Sequence, residues 1–314
     1  MDNVWDCVVV GGGAAGLSAA LVLGRARRRT LVVDAGAPSN AVAHGIGGLL
    51  GHNGRPPADL YALGRRELAE FPHVQVRSGA VVDARRGDLC TVGLADGSTE
   101  MTRLILLATG MDYRLPQVPG LAELWGSSVF HCPFCHGWEM RDAPLAVLAG
   151  ARAVHAGLML RGWTDDIVVL TDGNDDLAEG RDLLTAAGIR IDERPVARVR
   201  GDDGAVVVEF SDGSALPRRG LMAAPAMAQR SPLAQRLGVR FDQANPMSGE
   251  AVWVDDFGRT SVRGVLAAGD VTVQMPQVAA AIAAGSKAGA SAVQTLLGED
   301  HGLPVPPWKE EVHV

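Results

Sequence analysis

Apolar residues fall into short β-branched runs that alternate with Ala- and Leu-rich stretches of helical spacing, the pattern expected of an α/β chain. Residues 7 to 10 (Cys-Val-Val-Val) read as a buried parallel strand, followed by a helix through about Leu23. A second apolar run, Leu31 to Val33, ends at Asp34. Ala58 to Phe71 has helical apolar spacing, and Val74 to Val76 resumes an extended strand. Leu145 to Ala149 and Val168 to Leu170 repeat the buried-strand signature. Gly264 to Ala268 is another short strand closing on Gly269-Asp270, and Gln277 to Leu297 reads as an Ala-rich helix.

Two stretches echo each other. Cys90 to Leu94, Asp96-Gly97-Ser98 and Leu104 to Leu107 read as a hairpin and a returning buried strand. Val206 to Phe210, Asp212-Gly213-Ser214 and Leu221 to Ala224 repeat that order. Asp-Gly between alternating apolar residues is a strong hairpin signal. The expected fold is therefore α/β, with two Rossmann-like βαβ nucleotide-binding domains, each carrying a β-meander. The last strand and helix have no core of their own and should return to the first domain. Segments 1–113 and 245–314 then form one discontinuous domain, with 114–244 inserted as the second.

Composition narrows the classes. With 314 residues and 47% apolar content, two ordinary globular cores are affordable. A formal charge of −7, with no basic run longer than Arg27-Arg28-Arg29, speaks against a nucleic-acid partner. No run of apolar residues is long enough for a transmembrane helix. Met1 to Asp6 carries two acids and no basic stretch, which argues against a secretory signal. Four cysteines in this length make no disulfide scaffold, so a reducing cytoplasmic setting is expected.

Two motifs carry chemistry. Gly11-x-Gly13-x-x-Gly16 follows the first strand directly and opens the first helix. Such glycines give a tight turn, a close backbone approach to a pyrophosphate, and close helix–strand packing. Asp34, ending the next strand, is placed to accept hydrogen bonds from a ribose. The second motif is Cys132-Pro133-Phe134-Cys135-His136-Gly137-Trp138-Glu139. Pro133 suits the first position of a helix, which would leave Cys132 at the helix N-terminus, where a thiolate is favoured. Half of a zinc site, completed by His131 and His136, is the competing reading; a structural site needs four ligands, and no second close-spaced cysteine pair exists. A redox dithiol fits the flanking Pro, His and Gly better. Glu139 lies three residues from His136, near enough on one helix face to orient it.

Taken together, these residues resemble the low-molecular-weight thioredoxin reductase family of flavoproteins, over nearly the whole chain. The resemblance implies FAD as cofactor, with its pyrophosphate at Gly11, Gly13, Ala14, Ala15 and Gly16 and its ribose at Asp34 and Ala35. It further implies cofactor contacts from Asn40, Asn53 and Val81, and a strand passing under the flavin at Ala108-Thr109-Gly110. Asp270 would hold the ribityl chain, with Gln277 and Val278 beside the isoalloxazine. Cys132 and Cys135 match the redox pair, Cys135 next to the flavin, and no metal is implied. A homodimer is expected by the same resemblance.

Two departures set the branch. After Leu145 to Ala149 comes Gly150-Ala151-Arg152-Ala153-Val154-His155, so the second and third glycine positions of a nucleotide fingerprint hold Arg152 and His155. Val168-Val169-Leu170 runs into Thr171-Asp172-Gly173-Asn174-Asp175-Asp176 where family members that use NADPH carry a His-Arg-Arg…Arg cluster. Losing two or three charged hydrogen bonds, each worth roughly 1.5–3 kcal/mol, would weaken NADPH binding severely. The second departure is His136, where thioredoxin reductases usually have Asp. Cys-x-x-Cys-His-Gly is similar to the dithiol oxidase branch, which closes the disulfides of compounds such as gliotoxin and holomycin. The expectation is an FAD-dependent oxidase of a small dithiol, with molecular oxygen as acceptor, hydrogen peroxide as product, and His136 as general base. An NAD(P)H-dependent disulfide reductase and a flavin-binding redox sensor are the alternatives.

Overall fold

The structure, a computed structural model, describes residues 4–150, 152–174, 177, 180–244, 248–272, 276–304 and 308. Asp175 and Asp176 of the acidic stretch and Ala151 of the second glycine motif lie outside the described residues.

The chain opens on β1 (Val4–Val10), α1 (Ala14–Arg25) and β2 (Thr30–Asp34). Helix α2 (Pro57–Leu68), β3 (Val74–Ser78), β4 (Val81–Arg85), β5 (Cys90–Leu94) and β6 (Thr99–Leu107) follow, then β7 (Met111–Arg114). The middle of the chain gives α3 (Leu121–Leu124), β8 (Val129–Phe130), α4 (Pro133–His136), β9 (Leu145–Leu148) and α5 (Ala153–Leu160). It continues with β10 (Ile167–Leu170), α6 (Gly180–Ala186), β11 (Arg190–Asp192) and β12 (Val196–Asp202). Strands β13 (Ala205–Phe210), β14 (Ala215–Arg218), β15 (Gly220–Met222) and β16 (Ala226–Gln229) come next. Helix α7 (Leu233–Arg236), β17 (Val265–Ala267) and α8 (Val278–His301) complete it.

Two compact units result: residues 1–41, 55–112 and 227–314, and residues 42–54 with 113–226. These limits differ from the expected cuts at 113/114 and 244/245. Residues 42–54 go with the second unit because Gly47 lies directly on Cys135. Residues 227–244 go with the first because Leu233, Leu237 and Val239 pack into its sheet.

In the first unit, strands run in the order β3-β2-β1-β6-β5-β4, and β17 pairs with the C-terminal half of β6. Strands β1, β2, β3, β6 and β17 are mutually parallel; β4, β5 and β6 form the antiparallel meander. Cys7 and Val9 face α1 and α8, while Val8 and Val10 face the layer that holds Val252 and Leu233. Both faces of β1 are thus covered, which is why the strand reads as one apolar run. Cys7 and Cys90 fall in different cores, on opposite faces. Burial pushes both thiols up, so neither is a nucleophile.

The second unit stacks five parallel strands, β11-β10-β9-β15-β8, beside a separate antiparallel sheet, β12-β13-β14. Here the meander and the returning strand part company at Arg219, whose N–H donates to the Pro144 carbonyl at 2.8 Å. Both Asp-Gly hairpins form as the echo predicts. Gly97 and Gly213 turn with φ of 86° and 85°, and Asp96 and Asp212 accept the backbone N–H of Ser98 and Ser214 at 2.8 and 2.9 Å. Among the described residues no helix is long and apolar enough to cross a membrane.

Helices α1 and α8 approach so closely that a Cβ on Gly285 would stand 2.0 Å from the Ala15 carbonyl oxygen. Helix propensity alone would favour Ala there by about 1 kcal/mol. Overpacking against backbone costs about 1–3 kcal/mol and should win. Gly285→Ala is expected to lower the urea midpoint of unfolding; a raised midpoint would show that the two helices do not meet in this way.

Candidate active site

The first unit assembles a nucleotide cradle at the carboxyl ends of its parallel strands. Gly11 has a φ of +110°, and a Cβ on it would meet the Ala108 carbonyl oxygen at 2.3 Å. A Cβ on Gly16 would meet the Gly11 carbonyl at 1.8 Å. Gly13, which caps α1, faces open space instead, with Ala14 and Ala15 starting the helix behind it. Open backbone at a helix N-terminus is the setting in which a pyrophosphate binds. Asp34 ends β2, with its carboxylate beside Gly12; it accepts the Gly36 N–H at 3.0 Å and meets the Arg65 guanidinium at 3.4 Å. Ala35 follows it, exposed.

The other expected cofactor residues, Asn53 excepted, lie in the same unit. Gly79 donates to the Asp34 carbonyl at 2.9 Å, which brings the buried Val81 at the start of β4 to this edge. Ala108-Thr109-Gly110 leave β6, and Gly110 turns with φ +67°. Gly269 packs on Ala15 and delivers Asp270 into a short 3-10 turn. Gln277 is extended and caps α8, whose first residue is Val278. Asn53 lies in the second unit, where its side-chain oxygen accepts the Gly48 N–H at 2.9 Å.

Tyr61, absent from the sequence expectations, links several of these groups. Its hydroxyl donates to Asn40 Oδ1 at 2.8 Å. Burial raises its phenol, the Asn40 bond lowers it, and the Asp270 and Asp34 carboxylates raise it further. The phenol therefore stands among three residues expected at the cofactor. Arg65 was missed as well. Both lie on α2, where the only signal was a tyrosine and an arginine one turn apart.

The second unit holds the sulfur pair. Cys132 is extended (φ −122°), Pro133 takes the first position of α4, and the one-turn helix brings the two Sγ atoms to 2.6 Å. Close approach seals the far side: a Cβ on Gly47 would lie 2.5 Å from the Cys135 carbonyl oxygen, and one on Gly137 would lie 2.9 Å from the Trp163 ring. Phe134 and Trp138 flank the pair at 62% and 64% exposure, Phe134 edge-on to Trp163 and Trp138 under the Arg141 guanidinium.

His136 stacks on Phe130 with ring centroids 5.8 Å apart. Both its ring nitrogens are shut off from solvent, and neither makes a hydrogen bond of good geometry among the described residues. Burial lowers its pKa; the Glu139 carboxylate and the Cys132 and Gly126 carbonyls oppose this, and the exposed His44 adds to it. Glu139 thus acts on His136 through charge, not through the orienting contact its spacing allowed.

The matching cleft of the second unit differs from the first. Gly150, two residues past β9, has φ +152°, but Arg152 caps α5 and His155 rides on its first turn. Asp172, at φ +54°, accepts the Val196 N–H on Oδ1 at 2.6 Å. That oxygen is occupied by the chain itself. Among the described residues no three His, Cys, Asp or Glu side chains meet as a metal site requires.

Residues 5–285 match the family model described as pyridine nucleotide-disulphide oxidoreductase. The chain belongs to that family. A protein named thioredoxin reductase tcpT from Claviceps purpurea (strain 20.1) is 32% identical over 317 residues, 96% of this chain and 97% of its own. Thioredoxin reductase sirT from Leptosphaeria maculans is 31% identical, over 95% of this chain and 96% of its own. Among solved structures, that of HlmI superposes with a TM-score of 0.89 at 36% identity, covering 95% of this chain and 94% of that one. An oxidoreductase from Agrobacterium tumefaciens gives 0.88 at 34%, covering 93% and 98%. Like other thioredoxin reductase-like members of the pyridine nucleotide-disulphide oxidoreductase family, this chain is an FAD-binding enzyme.

The cradle fits that cofactor, and Gly13 offers a clean test. A methyl there meets nothing in the protein within 4 Å, so it should leave the apoprotein intact and stand where the pyrophosphate approaches. Gly13→Ala is expected to weaken FAD binding by at least about tenfold, roughly 1.4 kcal/mol, with the apoprotein melting midpoint unchanged. Unaltered flavin affinity would show that the pyrophosphate lies elsewhere.

Proposed function

We propose that this protein is an FAD-dependent dithiol oxidase, closing a disulfide in a small dithiol through Cys132 and Cys135, with molecular oxygen as final acceptor and hydrogen peroxide as product. The observation that carries the reading is the altered second cleft: Arg152 and His155 stand where a pyrophosphate needs bare backbone, and Asp172 spends a carboxylate oxygen on Val196. With no ready seat for a nicotinamide, the substrate thiols are the remaining source of electrons.

The chain's own residues then do the following. A substrate thiol gives its proton to His136, and its sulfur attacks Cys132 of the Cys132–Cys135 disulfide. Cys135 leaves as a thiolate. The second substrate thiol displaces Cys132, and the product departs as a disulfide. FAD, held at the glycine cradle of Gly11, Gly13 and Gly16, would supply the two-electron acceptor for the cysteine pair and the route for those electrons to oxygen. Phe134 and Trp138 offer apolar contact around the entrance. A desolvated imidazole stays neutral and able to accept a proton at lower pH than a free one.

The second reading, an NAD(P)H-dependent disulfide reductase, is favoured by the name thioredoxin reductase that two relatives carry. It requires a nicotinamide beside the flavin and a protein disulfide as oxidant.

Cys132→Ser should abolish dithiol-dependent oxygen uptake and peroxide release while FAD stays bound; uptake that persists would remove the sulfur pair from the reaction. His136→Gln should slow thiol oxidation by about 10²–10⁴-fold. In the wild type the acid limb of this rate should lie below the ordinary imidazole range, because the lowered pKa keeps His136 neutral further into acid. A limb at or above that range, or an unaffected variant, would take the base role from His136.

A further inference from the structure

One face of α2 reaches the edge of the glycine cradle. Tyr61 and Arg65 stand one turn apart on that helix, so both project from the same side. Gly64, between them, sets the helix on α1: a Cβ there would lie 3.1 Å from Leu17 Cδ1. Arg65 meets the Asp34 carboxylate at 3.4 Å, and the buried Tyr61 donates its hydroxyl to Asn40 Oδ1 at 2.8 Å. Both ends of the stretch from Asp34 to Asn40 are thus held by α2.

The surroundings decide what the phenol and the amide can do. Asp34 rests its carboxylate against Gly12, and Gly269, next to Asp270, packs on Ala15. Both acidic residues therefore stand by the glycine turn and the first turn of α1, and both act on the phenol. Burial raises the Tyr61 pKa most, the Asn40 bond lowers it, and Asp270 and Asp34 raise it again. The phenol keeps its hydrogen, and that hydrogen goes to Asn40. A carboxamide has one accepting end and one donating end. With Oδ1 taken by Tyr61, Nδ2 is the end left for a ligand, and it makes no hydrogen bond among the described residues. It complements its neighbours: carboxylates accept from hydroxyls, whereas an amide nitrogen donates to phosphate or hydroxyl oxygens.

We propose that Tyr61 is a positioning residue for FAD: its hydroxyl pins Asn40 Oδ1, so that Asn40 Nδ2 is turned to donate to an oxygen of the cofactor at the Gly11–Gly16 cradle. An unanchored asparagine amide rotates broadly about its last bond and presents either end. With the wrong end forward, Oδ1 would face cofactor oxygens, acceptor against acceptor. The Tyr61 bond removes that orientation before FAD arrives, and the phenol acts without touching the cofactor. This role concerns the seating of the flavin and is the same whether electrons come from a dithiol or a nicotinamide.

The test is flavin release from the diluted holoenzyme, read by the fluorescence of free FAD, in the wild type, Tyr61→Phe, Asn40→Ala, Asn40→Asp and the Tyr61→Phe/Asn40→Ala double variant. Phenylalanine keeps the ring and removes only the hydroxyl, so Tyr61→Phe should raise the FAD dissociation constant about three- to tenfold. Asn40→Ala should raise it at least as much. On that background Tyr61→Phe should add less than about twofold, because the hydroxyl acts through Asn40. Asn40→Asp keeps an oxygen for Tyr61 but loses the donor, and should bind FAD no better than Asn40→Ala. A hydroxyl that served only to pack α2 would cost the same with or without Asn40, which separates positioning from packing. Wild-type affinity in Tyr61→Phe, an undiminished Tyr61→Phe effect beside Asn40→Ala, or wild-type affinity in Asn40→Asp would overturn the proposal. Flavin reduction by dithiol or by NADPH bears on the oxidase reading alone, so the two can fail separately.

Discussion

Burial of the two imidazoles beside the sulfur pair is the constraint on which the chemistry of the second unit depends. Backbone lies on backbone at this pair: Gly47 is pressed on Cys135, and Gly126 on Val42, where a Cβ would stand 2.6 Å from the valine side chain. Residues 42–54 therefore strap the CxxC turn from a distant part of the sequence. Beside it, with Trp125 stacked on His131 and Phe130 on His136, Nε2 of His131 and both ring nitrogens of His136 are shut off from water. An imidazole in such surroundings resists protonation until a proton donor arrives in the site itself.

The two units show how a shared architecture separates by a few side chains. Each presents the carboxyl ends of parallel strands to a cleft, the usual place for a ligand in an open α/β sheet. In the first, Gly11, Gly13 and Gly16 leave room for a pyrophosphate, and the charges of Asp34 and Asp270 both act on the Tyr61 phenol. In the second, Arg152 caps the corresponding helix, and Asp172, just after β10, is tied to Val196 at the start of β12. Fold alone would assign both clefts the same ligand; the side chains do not.

Local spacing made much of this legible in the sequence. The strand–glycine–helix order at Val4–Arg25, the paired Asp-Gly hairpins and the one-turn helix after Pro133 each depend on neighbours a few residues apart. What escaped depends on distant partners. Tyr61 meets Asn40 from another element, and Tyr113 and Trp125 converge on His131 from separate segments. The allegiance of residues 42–54 follows from Gly47 meeting Cys135, a contact that no periodicity encodes. Glu139 had the right spacing for a bond to His136, but α4 ends at His136 and the chain tightens into a 3-10 turn, so only its charge reaches the ring.

The source of the electrons is tested most directly by anaerobic rapid mixing of the oxidised holoenzyme, in parallel, with NADPH, NADH and a small dithiol. Sulfur as the donor predicts fast bleaching of the flavin by the dithiol and no reaction with either nicotinamide on that timescale. Fast bleaching by NADPH or NADH, with the dithiol inert, would contradict it.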